Sequence, residues 1–585
     1  MKIKKSKYIL TLVASLLVTT GCEDLLNRSP LDEITTADYW KTTNDLRLYV
    51  NQYYPGAFVK YNDGVHLFIA DGESDDLITY LIENRRLKGT RIIPPTGGWD
   101  YSTIRSLNYF LTHYEQCEDD FEQYKAYVGE ALFFRAWFYF MNVQEYGDVP
   151  WIDKPLETDS EELYMARTPR NEVIDHLVED LDRAIEYLPS GKQLGGTRLS
   201  REVAQLFKAR VCLYEGTWER YHAGSPFGVE NPDPDRYLQL AADAALAVIQ
   251  SGFYSIHSTG DPMWDYFFFA EVDYSANQEV MFWRKYDMDQ SLGNARQYYM
   301  ATGGGAATGF TKALVESYLC TDGRPITLGN GSPNPLYQGD GDMISEITNR
   351  DPRFVQTILT PGFPYQIYGT DTIFFERAAV DQPTHTSCPT GYQQGKMLSW
   401  DPTHHKSPDT ILDGYTGWIL FRFAEVLLMY AEAKAELGTL TQADVDMTIK
   451  PLRDRVGMPN LDLANIEADP NWLFPDLPDY INEIRRERRV ELVGEGHRWH
   501  DLARWAAADE VIVGVRPMGA KFNAIDYPGF QASDFSLTNG YFDPLKPEMG
   551  EGGYAFDLTR DYLSPISTEE LTLNTNLVQN PGWEE

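Results

Sequence analysis

Aromatic and hydrogen-bonding residues alternate in one stretch near the middle of this 585-residue chain. Its rings are those of Trp283, Tyr286, Tyr298 and Tyr299, and Arg296 lies close to the last two. A flat ligand can stack on such rings while neighbouring polar groups bind its edges. We therefore predict that these five residues contact a ligand. For any single ring, burial in the protein core is the alternative interpretation.

His497 and His500 lie three residues apart beside Glu495 and Asp501, which could suggest a metal site. The His-Glu-x-x-His order is absent, and no third ligand follows at a recognisable spacing. We expect these residues to cap and pack helices. The sequence also lacks a nucleophile elbow, a phosphate-binding loop and a zinc motif. We therefore predict no metal site, and we predict that the protein is not an enzyme.

Three acidic clusters could hold calcium, but none matches the twelve-residue calcium-binding loop. They are Asp71, Glu73, Asp75 and Asp76; Asp233 and Asp235; and Asp340 and Asp342. Solvated turns are the expected role of these clusters. Binding of a structural calcium ion is the alternative, and no other cofactor is predicted.

The start of the chain has the pattern of an export signal. Four lysines precede an apolar run over residues 8–18, and Gly21 and Cys22 follow closely. We predict that residues 1–21 are a lipoprotein signal peptide and that Cys22 is the lipidated first residue of the mature chain. The apolar run is only about half the ~20 residues that a membrane-spanning helix needs. An ordinary secreted protein with an incidental cysteine is the alternative.

The formal net charge is −36, and loss of residues 1–21 would make it −40. Such acidity argues against nucleic acid or polyanion binding as a global activity, because those partners require basic surfaces. It favours a neutral ligand, unless arginines reverse the sign locally.

The other cysteines are widely separated and have no zinc-site spacing. We predict that they are buried free thiols, with disulfide pairing as the alternative. These residues are Cys117, Cys212, Cys320 and Cys388.

Long helices and one irregular region are predicted to position these residues. Apolar periodicity predicts helices over residues 35–54, 99–117, 121–146, 171–188, 201–221, 235–251, 418–437, 442–456, 480–493 and 499–508. Small residues recur where paired helices would cross, as in tetratricopeptide-like units, with a plain helical bundle as the alternative. Turn residues between short apolar runs over 252–415 predict loops and short strands. The predicted fold class is mainly α.

Motifs spread along the chain match one protein family in order. They occupy residues 22–26, 35–40, 130–140, 146–150, 349–354, 421–432, 484–492, 494–502, 562–566 and 580–583. With these motifs the chain resembles the SusD/RagB family of outer-membrane, glycan-binding lipoproteins. The resemblance implies one SusD-like domain over 22–585, with a helical part to about 251, a ligand-binding insertion to about 415 and C-terminal helices and loops beyond.

The resemblance also implies a function. A member of this family would be lipid-anchored and exposed on the outer membrane, and would capture oligosaccharides without cleaving them. It would deliver them to a TonB-dependent, SusC-like transporter. Because ligand contacts in this family also come from the N-terminal part, we predict that Trp99, Arg86 and Asp71 face the aromatic stretch. A peptide or other nutrient as ligand, a protein-binding adaptor and a surface glycoside hydrolase with two carboxylates are the alternatives.

The Arg/Glu-rich motif over 484–492 is interpreted as structural. Glu483 and Arg486, and likewise Arg488 and Glu491, are three residues apart, so each pair could form a salt bridge along one helix. We expect an ion network that fixes the fold. The same role is expected for Arg135, Arg422 and Glu425.

Overall fold

The computed structural model describes residues 39–58, 69–261, 267–300, 307–368, 371–382, 387–399, 401–404, 412–550 and 552–584. Among these residues, the helices are all too short or too polar to span a bilayer. The predicted lipidation site, Cys22, lies outside them.

Helices dominate the part of the chain before residue 252. They are α1 (Thr43–Asn51), α2 (Tyr53–Ala57), α3 (Ser102–His113), α4 (Phe121–Tyr146), α5 (Arg170–Tyr187), α6 (Arg201–Tyr221) and α7 (Pro234–Ser251). From α3 onwards each helix packs against the next. Side chains of Asp120, Ser200 and Asp233 accept backbone hydrogen bonds at the N-termini of α4, α6 and α7, which fixes where these helices begin. The succession confirms the predicted tetratricopeptide-like scaffold.

Small residues let α6 and α7 approach closely. A Cβ atom added to Gly216 of α6 would lie 2.8 Å from Leu238 Cγ and 3.0 Å from the Pro234 carbonyl oxygen of α7. Ala241 and Ala245 of α7 are also buried. This is the close packing that the recurrent small residues predict.

In the irregular middle region, every element that the structure describes is short. Its helices are α8 (Arg296–Met300), α9 (Lys312–Ser317), α10 (Met343–Ile347) and α11 (Arg353–Thr357). The strands of the described chain are β1 (Leu77–Thr79), β2 (Val280–Arg284), β3 (Thr308–Phe310), β4 (Pro364–Tyr368), β5 (Asp371–Phe374), β6 (Trp418–Arg422), β7 (Leu537–Thr538) and β8 (Tyr541–Phe542). They pair antiparallel as β1–β3, β2–β6, β4–β5 and β7–β8.

Helices resume after β6. They are α12 (Phe423–Glu436), α13 (Gln442–Arg455), α14 (Asp479–Leu492), α15 (Arg498–Arg504), α16 (Ala508–Val511), α17 (Lys546–Met549) and α18 (Thr568–Leu573). Helix α12 packs against α7, α13 and α14, and so joins the N-terminal scaffold to the C-terminal helices.

Several predicted helix boundaries are wrong. Residues 418–422 form β6, which pairs with β2, and the helix predicted to begin there starts at Phe423. A continuous apolar run fits a buried strand as well as a helix, so periodicity could not separate the two. Trp99 precedes α3 instead of beginning it, and the helices predicted over 35–54 and 499–508 are each interrupted.

The cysteines that the structure describes are free and buried, as predicted. They are Cys117, Cys212, Cys320 and Cys388.

A buried ion network surrounds Glu491 of α14. Its carboxylate accepts hydrogen bonds from Arg353 at 3.1 Å, Arg422 at 2.7 Å and Arg455 at 2.5 Å. Arg422 and Arg455 also pair with Glu279. Burial alone would raise the pKa of Glu491, but the three arginines hold it well below its ordinary value. The network therefore joins α11, β6, α13 and α14.

The predicted ion pairs along α14 are only partly present. Glu483 lies 3.5 Å from Arg486, but Arg488 binds Asp501 of α15 at 2.8 Å and not Glu491. The network is therefore mainly tertiary. Two other residues predicted to have a structural ionic role also form ion pairs: Arg135 binds Asp180, and Glu425 binds Arg210.

Candidate functional site

Three of the predicted ligand residues lie in the protein core. Trp283 is 2% exposed, donates its indole N–H to the Gly195 carbonyl at 2.9 Å and packs edge-on against Tyr274. Tyr286 is buried in the same hydrophobic cluster. Arg296 is also buried and donates to the Thr416 hydroxyl at 2.6 Å. Because stacking requires an open ring face, the prediction of accessible ligand contacts at Trp283, Tyr286 and Arg296 is wrong, and these residues hold the region together.

Asp71 and Arg86 are buried too. Asp71 accepts the backbone N–H of Gly494 at 2.5 Å, and burial, with the charge of Asp76 contributing, raises its pKa to about 7. Arg86 donates to the Asp561 carbonyl and lies over the ring of Trp499 at 4.7 Å. The prediction that these two side chains face a ligand is corrected, because both attach the N-terminal loop to the C-terminal part of the chain.

The acidic clusters have structural partners. Asp75 binds Arg489 and Arg498, and Asp76 binds Arg489, so the expectation that this cluster is a solvated turn is wrong. In the other clusters, Asp233 caps α7, Asp342 caps α10 and Asp340 pairs with Lys312. Across the described ranges, His, Cys, Asp and Glu form no group arranged to hold a metal ion.

Trp99 is half-buried at the edge of the main core. Its ring makes edge contacts with Tyr101 and Tyr146, with centroid distances of 6.1 and 5.7 Å. The residue is only partly buried, and its ligand contact stays a prediction.

Tyr298 and Tyr299 are half-exposed on the short helix α8. Their ring centroids are 5.5 Å apart and their planes are nearly perpendicular, at 83°. The polar residues before them anchor the helix from beneath: Gln297 donates to the Met397 carbonyl and accepts the backbone N–H of Ser399. The two rings are therefore held in place by a buried base.

The N-terminal loop meets this helix, as predicted, but through different residues. Tyr299 packs with Ile69, Leu81 and Ile82 in a small hydrophobic cluster. Nearby, β1 pairs with β3, and the backbone N–H of the exposed Tyr80 donates to the Ala307 carbonyl at 3.0 Å. The apolar Leu81-Ile82 pair, directly after a strand-like run, was the available sequence signal for this wall. We call Tyr298, Tyr299, Leu81 and Ile82 the tyrosine surface.

Two profiles of known families match the chain. The profile of the SusD family matches residues 265–583, which is more than half of the chain, and a profile described as starch-binding and associating with the outer membrane matches residues 96–213. The chain belongs to the SusD family. The resemblance in the sequence motifs is thereby confirmed.

Other SusD-like proteins align with nearly the whole chain. SusD-like protein P2 of Formosa agariphila is 24% identical over 599 residues, covering 99% of this chain and 100% of P2. A SusD-like carbohydrate-binding protein of Bacteroides fragilis is 22% identical, with a TM-score of 0.69, covering 92% of this chain and 100% of that one. A laminarin-binding SusD-like protein is 22% identical, with a TM-score of 0.53, covering 93% and 100%. The two solved structures, the carbohydrate-binding protein and the laminarin-binding protein, share the fold of this SusD-family chain.

The tyrosine surface has the chemistry of a binding site. Each phenol ring offers an apolar face, and each hydroxyl can donate or accept a hydrogen bond. Glu83 and Arg85, paired at 2.8 Å, place exposed polar groups on the same loop as Leu81 and Ile82. In this SusD-family chain, Tyr298 and Tyr299 lie within the range of the family match, whereas Leu81 and Ile82 precede both matched ranges.

Proposed function

We propose that this SusD-family protein binds an oligosaccharide at the tyrosine surface and does not cleave it. The observation that carries the proposal is the pair of half-exposed, perpendicular rings of Tyr298 and Tyr299 on a buried base. A sugar ring has an apolar C–H face and hydroxyl edges, and tyrosine complements both. The carbohydrate-binding and laminarin-binding proteins with the same fold support a saccharide as the ligand class.

The charge of the chain supports a neutral saccharide. A net charge of −36 disfavours close approach of sulfated or uronate-rich polymers. The exposed Glu83 and Arg85, which follow Leu81 and Ile82 on the loop, form an ion pair and neutralise one another. Ring stacking and hydroxyl hydrogen bonds would therefore supply most of the affinity.

The proposed role continues beyond capture. A lipid on Cys22 would hold the protein on the outer face of the outer membrane, where it would deliver its ligand to a TonB-dependent, SusC-like transporter. Support comes from the signal-peptide pattern, from family membership and from the outer-membrane association in the second profile's description. A few stacking contacts of about 1 kcal/mol each give modest affinity, which suits transfer to a second protein.

The anchor and the partner can be tested together in cells. Incorporation of labelled palmitate should require Cys22 and be lost in Cys22→Ala. The unaltered protein should copurify with a TonB-dependent transporter from detergent-solubilised outer membranes. Labelling of Cys22→Ala would contradict the lipid anchor, and purification without such a transporter would contradict the delivery role.

Ligand binding is tested with the soluble protein beginning at Glu23. A glycan array identifies the saccharide class, and calorimetry then compares the unaltered protein with the Tyr298→Ala/Tyr299→Ala double variant. We expect affinity to fall about tenfold or more, because two stacking contacts are lost. Tyr164→Ala is the matched control, because Tyr164 is 56% exposed and lies in another part of the chain.

Three outcomes would contradict the proposal. Equal affinity in the double variant would remove the tyrosine surface as the site. Binding of peptides but of no saccharide on the array would favour a peptide ligand. Shortened saccharide products after long incubation would indicate a glycoside hydrolase.

A further inference from the structure

A cavity of about 280 Å³ lies beside α14. It is lined by residues of α14, of the preceding loop over 469–474 and of α9, by residues 326–327 and by Arg498 of α15, and none of them belongs to the tyrosine surface. Small-molecule sites usually have volumes of roughly 300–1,000 Å³. This cavity is therefore close to the lower limit and suits a ligand of about one sugar unit.

Trp472 forms one wall of the cavity and is half-exposed. Its backbone N–H donates to the Asp469 carbonyl at 3.1 Å. Phe474, two residues after Trp472, is held by Asn482 of α14. The Asn482 side chain accepts the backbone N–H of Phe474 at 3.2 Å and donates to the Phe474 carbonyl at 2.8 Å. These bonds fix the loop before any ligand arrives, so binding would require little ordering of the protein.

Arg486 supplies an unused hydrogen-bond donor. Its guanidinium lies 4.8 Å from the Trp472 ring centre, and its Nη2 donates to Asp469 at 2.7 Å. Its Nη1 is buried without a hydrogen-bond partner in the described part of the chain, and the side chain as a whole is 10% exposed. A buried N–H that lacks an acceptor costs free energy, so an oxygen atom placed at this position would be favoured.

The other arginines of the cavity do not select for a charged ligand. Arg485 pairs with Glu436 at 3.3 Å. Arg489 binds Asp75, Asp76 and Ser317, and Arg498 binds Asp75. Their charges are already compensated. A neutral, oxygen-rich ligand therefore fits better than an anion.

We infer that this cavity is a second saccharide site, in which one neutral sugar ring packs on Trp472 and one of its oxygens accepts a hydrogen bond from Arg486 Nη1. The inference rests on the proposed function for its ligand class. The second site would add a contact for a long saccharide that is already held at the tyrosine surface, and would raise the overall affinity.

The test uses saturation-transfer NMR on the soluble mature protein. The probes are glucose, galactose, mannose and N-acetylglucosamine, each at millimolar concentration. We expect at least one probe to bind the unaltered protein and the Tyr298→Ala/Tyr299→Ala variant equally well. Trp472→Ala should weaken this binding about fivefold, the loss that corresponds to one aromatic contact. Arg486→Lys should weaken it as well, since lysine keeps the charge but not the second guanidinium nitrogen.

Thermal unfolding shows whether each variant is folded. If Trp472→Ala does not fold, Arg486→Lys still tests the cavity. The inference would be overturned if no probe bound the unaltered protein. It would also be overturned if both cavity variants bound the probe as tightly as the unaltered protein does. If oligosaccharide binding is lost in the tyrosine double variant while no monosaccharide binds, only this inference fails. If oligosaccharide binding depends on Trp472 but not on the tyrosines, the cavity is supported and the proposed tyrosine surface fails.

Discussion

At the scale of single residues, Glu491 shows what a buried carboxylate contributes to this protein. It is completely buried and accepts hydrogen bonds from Arg353, Arg422 and Arg455. Removing one member of a buried ion group leaves the others uncompensated, which typically costs about 3–5 kcal/mol. We therefore expect Glu491→Gln to lower the free energy of unfolding by about this amount, measured by urea denaturation.

An exposed ion pair provides the control for Glu491. Lys41 and Glu118 lie 3.3 Å apart, but their side chains are 43% and 73% exposed. Exposed pairs contribute only about 0–1 kcal/mol, so Glu118→Gln should change the urea midpoint little. Equal effects of the two substitutions would show that burial does not strengthen the network.

Asp71 should make stability depend on pH. Burial raises its pKa to about 7 in the folded protein, whereas an unfolded aspartate has a pKa of about 3.9. Between these values the folded state binds more protons than the unfolded state, so the free energy of unfolding falls as pH rises. The contribution of the protonated carboxyl is complete below about pH 4 and is lost as pH rises through about 7.

The Asp71→Asn variant isolates this effect, because its amide is neutral at every pH. Unfolding is measured by urea denaturation at several pH values for both proteins. The stability of the variant relative to the unaltered protein should rise by a few kcal/mol between about pH 4 and pH 7. Buried His497 and His500, whose pKa values burial lowers to about 4, titrate in both proteins and cancel. A constant difference across this range would contradict the raised pKa.

Residue type alone could not separate Trp283 from Tyr298. Both are aromatic and have polar neighbours, yet Trp283 is buried on β2 and Tyr298 is half-exposed on α8. The one available signal was the continuous apolar run before Trp283, which is typical of a buried strand. For Arg296, the burial depends on acceptors at residues 416 and 417, whose proximity no local pattern reveals.

At the scale of elements, the contact of α6 with α7 sets a limit on side-chain size. In Gly216→Ala the new Cβ would meet Leu238 Cγ at 2.8 Å and the Pro234 carbonyl at 3.0 Å. Overpacking of this kind costs about 1–3 kcal/mol, while alanine gains about 1 kcal/mol of helix propensity. We expect a net loss of about 1 kcal/mol in the free energy of unfolding, measured by urea denaturation.

Gly56 of α2 is the matched control for Gly216. A Cβ added there meets no atom of the described chain within 4 Å. Gly56→Ala should therefore be neutral or stabilise the protein by up to about 1 kcal/mol. A Gly216→Ala variant as stable as Gly56→Ala would show that the two helices can separate without cost.

Long helices were the elements that the sequence predicted best. Helices α4 and α6 have the predicted bounds, because each combines a capping residue with many turns of apolar residues. The strand β6 could not be predicted, since its stability comes from pairing with β2, more than 130 residues earlier. Pairing between distant segments has no local signature.

At the scale of the whole molecule, the tyrosine surface depends on contacts between the N-terminal loop and the C-terminal helices. Asp75 and Asp76 of the N-terminal loop bind Arg489 and Arg498, and Asp71 accepts the Gly494 N–H. Leu81, Ile82 and Tyr299 all pack against Ile69 of the same loop, so this attachment also positions the tyrosine surface. The resemblance predicted that the loop and the insertion meet, but not which residues would be buried in joining them.

The charge of the whole molecule should govern which ligands respond to salt. The long-range field of a chain with net charge −36 acts on charged ligands and not on neutral ones. The screening length falls from about 10 Å at 0.1 M salt to about 3 Å at 1 M, so added salt weakens that field.

Calorimetry at both salt concentrations should therefore give nearly the same affinity for the neutral oligosaccharide selected on the array. Alginate, a uronate polymer, should bind weakly and gain affinity with salt. A strong loss of affinity for the neutral ligand at high salt would mean that charged side chains, and not the tyrosine rings, provide most of the binding.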